Sequence, residues 1–114
     1  MSREPKIYLH DMLDRARAVS SFVRGRESDD LNTDRLFRSA VERELMVLGE
    51  ALYQLHETDP DLGEQINSYR EIIRFRHVLV HGYHSLRADV LWQTIIEDIP
   101  SLIEQLDSML SDKK

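Results

Sequence analysis

Apolar residues recur at three- and four-residue intervals along most of the chain, which is the spacing of helices that bury one face. The first such stretch begins near Pro5 and runs to about Val23 or Arg24, where Gly25 closes it. Its apolar positions are Leu9, Met12, Leu13, Ala16, Val19 and Val23. The segment 26–33 is rich in Asp, Ser and Asn and predicts a polar loop.

A second, longer helix is predicted between a cap at Asn32 or Thr33 and the helix breaker Pro60. Its apolar stripe consists of Phe37, Val41, Leu45, Leu48, Leu52 and Leu55. Gly49 lies inside this helix at a cost of up to about 1 kcal/mol relative to alanine, so we expect another helix to approach its backbone closely. The neighbouring Glu50 points either into an interface or site, or into solvent on an ordinary helix face.

The rest of the chain predicts a turn at 59–63, a third helix at about 65–80 and a fourth at 89–97. Pro100 is expected to kink or restart the last stretch as a final helix. The third helix should face the core with Ile72, Ile73, Phe75, Val78, Leu79 and Val80. The predicted fold class is therefore all-α, an up-and-down bundle of four to five helices that forms a single domain over residues 1–114.

Composition narrows the class of protein further. Hydrophobic residues make up 41% and charged residues 32% of the chain, as in an ordinary soluble globular protein. There is no cysteine, which excludes disulfides and thiolate zinc sites. The N-terminus lacks the apolar stretch of a signal peptide, and no run approaches the roughly 20 apolar residues of a membrane span. We therefore predict a cytoplasmic protein with no membrane partner.

Charge is distributed unevenly along the chain. The formal net charge of −6 argues against a protein that coats nucleic acid nonspecifically, because such proteins gain affinity by neutralising many phosphates. The segment 69–87 nevertheless carries +3, which leaves −9 for the remainder. A local positive cleft in an acidic body can bind one anionic group while discouraging broad adhesion.

The candidate chemistry lies in this positive segment, where Arg76 is followed at five residues by His81 and then by Gly82 and Tyr83. Displacement at a phosphodiester needs a base, an acid and a cation that stabilises the developing charge, and these residue types can supply them without a metal or other cofactor. A histidine, with a reference pKa of about 6.5, suits the proton transfers, and the planar fork of an arginine suits the phosphate. On an ideal helix Arg76 and His81 point about 140° apart, and Gly82 is suited to ending the helix beside them.

The pattern Arg-x4-His-x-Tyr in a helical chain of this size resembles the HEPN superfamily, and specifically the HepT ribonuclease toxins paired with MntA-type nucleotidyltransferase antitoxins. The resemblance extends to the step Leu48-Gly49-Glu50-Ala51 and to the apolar stretch from Val90 to Pro100. It implies a homodimer in which paired Arg76 and His81 form an RNA-cleaving cleft, as in a type VII toxin–antitoxin pair. It also implies that the antitoxin AMPylates Tyr83 and thereby neutralises the toxin.

Two alternatives remain open at this point. The HepT pattern usually has asparagine directly after the arginine, whereas this chain has His77, which cannot reproduce the paired donor and acceptor of an amide. This departure supports a catalytically silent helical subunit that binds a nucleotidyltransferase. The spacing of His77, His81 and His84 instead suits ligands of a metal ion on one helical face, although Gly82 interrupts that face.

Overall fold

Helices account for most of the computed structural model, which describes residues 4–81 and 86–111. They are α1 (Pro5–Phe22), α2 (Asp30–Thr33), α3 (Arg35–Thr58), α4 (Pro60–Gln65), α5 (Tyr69–His81) and α6 (Ala88–Ser111). No described residue forms a β-strand, so the predicted all-α fold class is confirmed. The first three long helices, α1, α3 and α5, correspond to predicted helices, whereas α6 takes the place of the last two predicted helices, and the short helices α2 and α4 were not predicted. None of the helices in these two ranges is long and apolar enough to cross a membrane.

The core lies among α1, α3 and α6. Helix α3 packs against α1, α4 and α5, and α6 packs against α1 and α2. The six apolar residues predicted for α3 are all buried, which confirms that stripe: Phe37, Val41, Leu45, Leu48, Leu52 and Leu55. The α1 residues predicted to be apolar are likewise buried, except Val23, which packs against the core while partly exposed.

Helix α3 is capped by Asp34 and not by the predicted Asn32 or Thr33, which lie in α2. The carboxylate of Asp34 accepts a hydrogen bond of 3.0 Å from the backbone N–H of Phe37. It also accepts one of 2.8 Å from Nη2 of Arg26, and these two bonds hold the pKa of Asp34 below its usual range. The predicted loop at 26–33 therefore contains a helical turn that presents a better cap one residue further on.

The predicted turn after α3 is also helical. Asp59 accepts a hydrogen bond of 3.2 Å from the backbone N–H of Leu62, and Pro60 occupies the first turn of α4, where its missing N–H costs nothing. Helix α4 ends at Gln65, and Ser68 adopts a positive φ of 61° before α5 begins. The third long helix thus begins at Tyr69, four residues later than the prediction of 65.

The prediction that Pro100 restarts the last helix is wrong, because α6 runs uninterrupted through it. Pro100 is exposed on the outer side of α6, away from the buried face. That face is continuous across the proline and consists of Leu91, Ile95, Ile99, Leu102 and Leu106. Burial of this face outweighs the single backbone hydrogen bond that proline removes.

Helix α5 lies on the outside of the bundle. Four of its predicted core residues pack partly buried against the core, namely Ile72, Ile73, Phe75 and Leu79. The prediction was wrong for Val78 and Val80, which remain 39% and 47% exposed. No Cα atom of α5 lies within 8 Å of one of α6 in the described ranges, so an apolar groove of about 270 Å³ opens between them. Since α1, α3 and α6 already enclose the core, α5 contacts it from one side only.

Candidate active site

The position of Arg76 is set by the missing side chain of Gly49. Gly49 is buried in α3 at the point where α5 crosses it. A Cβ atom at position 49 would lie 2.9 Å from Cγ of Arg76, nearer still to its Cβ, and 3.4 Å from the backbone oxygen of Ile72. The predicted close approach of a second helix at Gly49 is confirmed, and the approaching residue is the candidate catalytic arginine.

The guanidinium of Arg76 is held on two sides by α3. Its Nη2 atom lies 2.5 Å from Oε1 of Glu50, and its Cζ atom lies 5.2 Å from the ring centroid of Tyr53. The side chain is 23% exposed, and Nε is buried without a hydrogen-bond partner among the described residues. Arg76 therefore combines a fixed position with a partly accessible planar fork, which suits it to binding an anion.

Glu50 contacts Arg76 while its side chain remains 41% exposed, so it combines the two orientations that the sequence left open. Its second carboxylate oxygen accepts a hydrogen bond of 2.8 Å from Nε2 of Gln54, one turn further along α3. The carboxylate is thus tied at both oxygens, once to a cation and once to an amide. Glu50 is the residue that orients the Arg76 guanidinium.

His77 and His81 lie one turn apart on the solvent-facing side of α5, and both are exposed. Their ring centroids are 4.1 Å apart, with an angle of 62° between the ring planes. Helix α5 continues through His81, so the separation of about 140° expected between Arg76 and His81 is retained. Within one chain, Arg76 faces α3, whereas His81 faces outward at the C-terminal end of α5.

The rest of the predicted motif lies outside the described residues. This applies to Gly82, the predicted helix cap, to Tyr83, the predicted modification site, and to His84, the third histidine of the metal alternative. Among residues 4–81 and 86–111, no group of three or more histidine or acidic side chains is placed to hold a metal ion.

An open groove of about 610 Å³ lies between α3 and α5, next to Arg76. Its lining includes Tyr53, Tyr69, Arg70, Arg74, Arg76 and His77. Sequence reasoning counted the arginines toward local charge but missed the two tyrosines and the groove itself. The signal available was the spacing of Arg70, Arg74, His77 and His81 at intervals of four, three and four, which places them on one face of α5.

Comparison with known proteins identifies the family of the chain. The family model described as Ribonuclease HepT-like matches residues 12–109. A protein of Thermococcus cleftensis named "Probable ribonuclease HepT" is 35% identical over 102 residues, which cover 90% of this chain and 92% of that protein. A "Putative RNase" of Caldanaerobacter subterraneus subsp. tengcongensis is 27% identical over 112 residues, covering 98% of this chain and 99% of its own. No solved structure matches the chain.

The all-α bundle with an arginine and two histidines on its outer helix is consistent with a HEPN-like helical domain. The match to the family model spans most of the chain, including Arg76 and His81. The chain belongs to the ribonuclease HepT-like family. The family predicted from the sequence is thereby confirmed, and with it the enzyme class of an endoribonuclease.

Proposed function

We propose that this chain is a metal-independent endoribonuclease toxin that cleaves RNA by attack of the 2′-hydroxyl on the adjacent phosphate. The observation that carries the proposal is the fixed guanidinium of Arg76, packed on Gly49 and oriented by Glu50, on the same helix as His81. An arginine held in this way stabilises developing negative charge without reorganising during the reaction. Membership of the ribonuclease HepT-like family supports the same substrate.

The reaction needs two proton transfers around one phosphorus atom. A base removes the proton of the 2′-hydroxyl, the O2′–P bond forms, the P–O5′ bond breaks, and an acid protonates the departing O5′. The products are a 2′,3′-cyclic phosphate and a 5′-hydroxyl. Arg76 stabilises the phosphorane through charge-assisted hydrogen bonds, and His81 acts as base or acid.

A single His81 cannot act as both base and acid in one turnover without a proton shuttle. A homodimer solves this problem, because a twofold axis supplies a second His81 and a second Arg76 to one cleft. The outward direction of His81 and the exposed apolar side chains of Val78 and Val80 on α5 support such an arrangement. In this proposal His77, whose ring contacts that of His81, binds substrate in the same cleft.

The proposal includes regulation by a partner. An MntA-like nucleotidyltransferase antitoxin AMPylates Tyr83, two residues after His81. The adenylyl group adds bulk and negative charge next to the phosphate site, so it repels RNA and obstructs its binding. This part of the proposal rests on the family resemblance and on the position of Tyr83 in the sequence.

A second candidate is a catalytically silent helical subunit that binds a nucleotidyltransferase. Two observations favour it. Glu50 neutralises the charge of Arg76 in the free protein, and Arg76 and His81 point in different directions within one chain. The departure at His77, where the HepT pattern usually has asparagine, supports this candidate as well.

The two candidates are separated by assaying RNA cleavage in EDTA on protein expressed without its partner and confirmed as unmodified by intact mass. The proposal expects cleavage products with cyclic phosphate ends, lost in Arg76→Ala and strongly reduced in Arg76→Lys, which keeps the charge and the stem but not the fork. Arg24→Ala, at an exposed arginine just after α1, is the matched control and should cleave like the wild type. Absence of cleavage by the folded, unmodified dimer would favour the silent subunit.

A further inference from the structure

The groove between α3 and α5 extends beyond the residues assigned to the reaction. Arg70 and Arg74 lie on α5 in the direction away from His81, and both are exposed. From Arg70 to His81 the helix rises about 16 Å. Arginine and histidine side chains therefore follow the outer side of α5 over a length that exceeds a single phosphate group.

The charges of Arg70 and Arg74 are available to a ligand. Neither side chain forms an ion pair with another described residue, in contrast to Arg76 and to Arg15, which pairs with Glu44 at 2.9 Å. In a chain with a net charge of −6, two neighbouring uncompensated arginines in one groove form a local attraction for anions. The spacing of four residues places them about 6 Å apart along the helix axis, so they can engage successive groups of an extended polyanion.

The tyrosines give the groove a second property. Tyr53 is 40% exposed and presents its ring beside Arg76. Tyr69 is already engaged, because His56 stacks on it at 5.3 Å and Cζ of Arg70 lies 5.2 Å from its ring centroid. Tyr69 therefore holds Arg70 in the groove. Tyr53 has Arg76 over one face of its ring and remains 40% exposed, so a flat group can stack on the exposed part of the ring.

We propose that this groove binds the single-stranded RNA segment next to the cleaved bond, with Arg70 and Arg74 on phosphates and a nucleobase stacked on Tyr53. The inference rests on the proposed function and specifies how its substrate is bound. Cationic grooves with aromatic stacking surfaces are the general solution for single-stranded nucleic acid, and they tolerate many sequences because every base has a flat face. The groove thus selects unpaired RNA and has little specificity for the base sequence.

The test measures binding of a single-stranded RNA oligonucleotide with 2′-O-methyl groups, which cannot be cleaved by 2′-hydroxyl attack. Fluorescence anisotropy gives the Kd and its dependence on salt. The double variant Arg70→Ala/Arg74→Ala should raise the Kd about 10-fold or more and reduce the salt slope by about 1.4, the value expected for two phosphate contacts to a single strand. Tyr53→Leu should raise the Kd roughly 5- to 100-fold and leave the salt slope unchanged.

The matched control is Arg24→Ala/Arg35→Ala, which removes the same charge from exposed positions outside α5. If the two double variants weaken binding equally, the effect is one of net charge and the groove proposal is overturned. If the groove variants bind RNA like the wild type but lose binding of the nucleotidyltransferase, the groove is a protein-binding surface and the proposal is likewise overturned.

The design separates this proposal from the proposed function. Wild-type protein that binds the blocked oligonucleotide through the groove, but cleaves no RNA, would refute the ribonuclease and leave the groove as an RNA-binding surface. Protein that cleaves RNA, with groove variants that bind like the control, would refute the groove and leave the ribonuclease intact. Circular dichroism of each variant establishes that it is folded. If Tyr53→Leu does not fold, two other variants replace it. Tyr53→Phe is expected to bind RNA like the wild type, and Tyr53→Gln is expected to bind as weakly as predicted for Tyr53→Leu.

Discussion

Gly49 of α3 and Arg76 of α5 are packed so closely that no side chain fits between them. A Cβ atom at position 49 would lie 2.9 Å from Cγ of Arg76, which is closer than such atoms approach in proteins. The contact involves the stem of the arginine next to the backbone, which cannot move without moving α5. The glycine therefore sets the distance between the two helices, and through it the reach of the Arg76 guanidinium to Glu50.

Gly49→Ala should destabilise the protein and displace Arg76. Overpacking costs about 1–3 kcal/mol, and the better helix propensity of alanine offsets up to about 1 kcal/mol of it, so we expect a net loss of about 1–2 kcal/mol in the free energy of unfolding. Urea denaturation measures this loss, and RNA cleavage should fall with it. Ser39→Ala, at an exposed position of the same helix, is the control and should not lose stability. A Gly49→Ala protein as stable and active as this control would show that the helices separate freely.

Glu50→Ala should reduce cleavage by about 10-fold or more, because the guanidinium of Arg76 loses the carboxylate that orients it. Glu50→Gln retains an oxygen acceptor and should lie between Ala and the wild type. Stability should change by less than about 1 kcal/mol, since the Glu50 side chain is 41% exposed.

Positioning by Glu50 is distinguished from a general effect by a double-mutant cycle with Arg76→Ala. In that background Glu50→Ala should not weaken binding of the 2′-O-methyl oligonucleotide further, because Glu50 acts on the substrate through the arginine. Additive losses in the cycle would show that Glu50 acts elsewhere. Glu57→Ala, at an exposed acid on α3, is the matched control for removal of a negative charge.

The buried faces of α1 and α3 are predictable from spacing alone because each helix is amphipathic and contacts the core along its whole length. The same rule fails for Val78 and Val80, since an apolar position does not reveal whether a helix lies inside the bundle or on its outside. It also fails at Pro100, where continuous burial on both sides of the proline maintains the helix. A helix-breaking residue such as proline predicts the end of a helix only where tertiary packing does not stabilise the helix across it.

The site shows a similar division. The motif predicts Arg76 as a site residue, and the cost of Gly49 within a helix predicts that another helix packs against it. The partner of Glu50 and the exposed ring of Tyr53 depend on how α5 crosses α3, which is a property of three-dimensional packing. Spacing within one helix cannot predict contacts that are made between two.

His81→Ala should lower RNA cleavage by about 100-fold or more while the helical circular dichroism spectrum stays unchanged. The side chain is exposed near the end of α5, so its removal leaves no cavity. His10→Ala, at an exposed histidine of α1, provides the control and should cleave like the wild type. A folded His81→Ala protein with full activity would remove His81 from the mechanism.

Tyr83 should be the residue that the partner modifies. Incubation with the cognate nucleotidyltransferase and ATP should add one or more adenylyl masses to the wild type and none to Tyr83→Phe, as measured by intact mass spectrometry. Cleavage by the wild type should fall with the extent of labelling, because the added phosphate repels RNA. Equal labelling of both proteins would place the switch at another residue.

Asp98 should make stability decrease as pH rises. It lines the apolar groove between α5 and α6 together with Glu71 and Arg74, and burial raises the pKa of its carboxyl, with further contributions from Glu97 and Glu71. In the pH range between the unfolded and the folded pKa, the native chain binds more protons at Asp98 than the unfolded chain does. The free energy of unfolding therefore falls as pH rises through this range.

Asp98→Asn removes this dependence, since asparagine stays uncharged at every pH. The variant should unfold at a higher urea concentration than the wild type at about pH 7, and its advantage should shrink toward about pH 3.5, where Asp98 becomes protonated in both states. Glu104→Gln, at an exposed acid on the same helix, is the control and should show no such trend. An advantage of Asp98→Asn that is equal at both pH values would arise from packing, and would show that the ionisation of Asp98 does not limit stability.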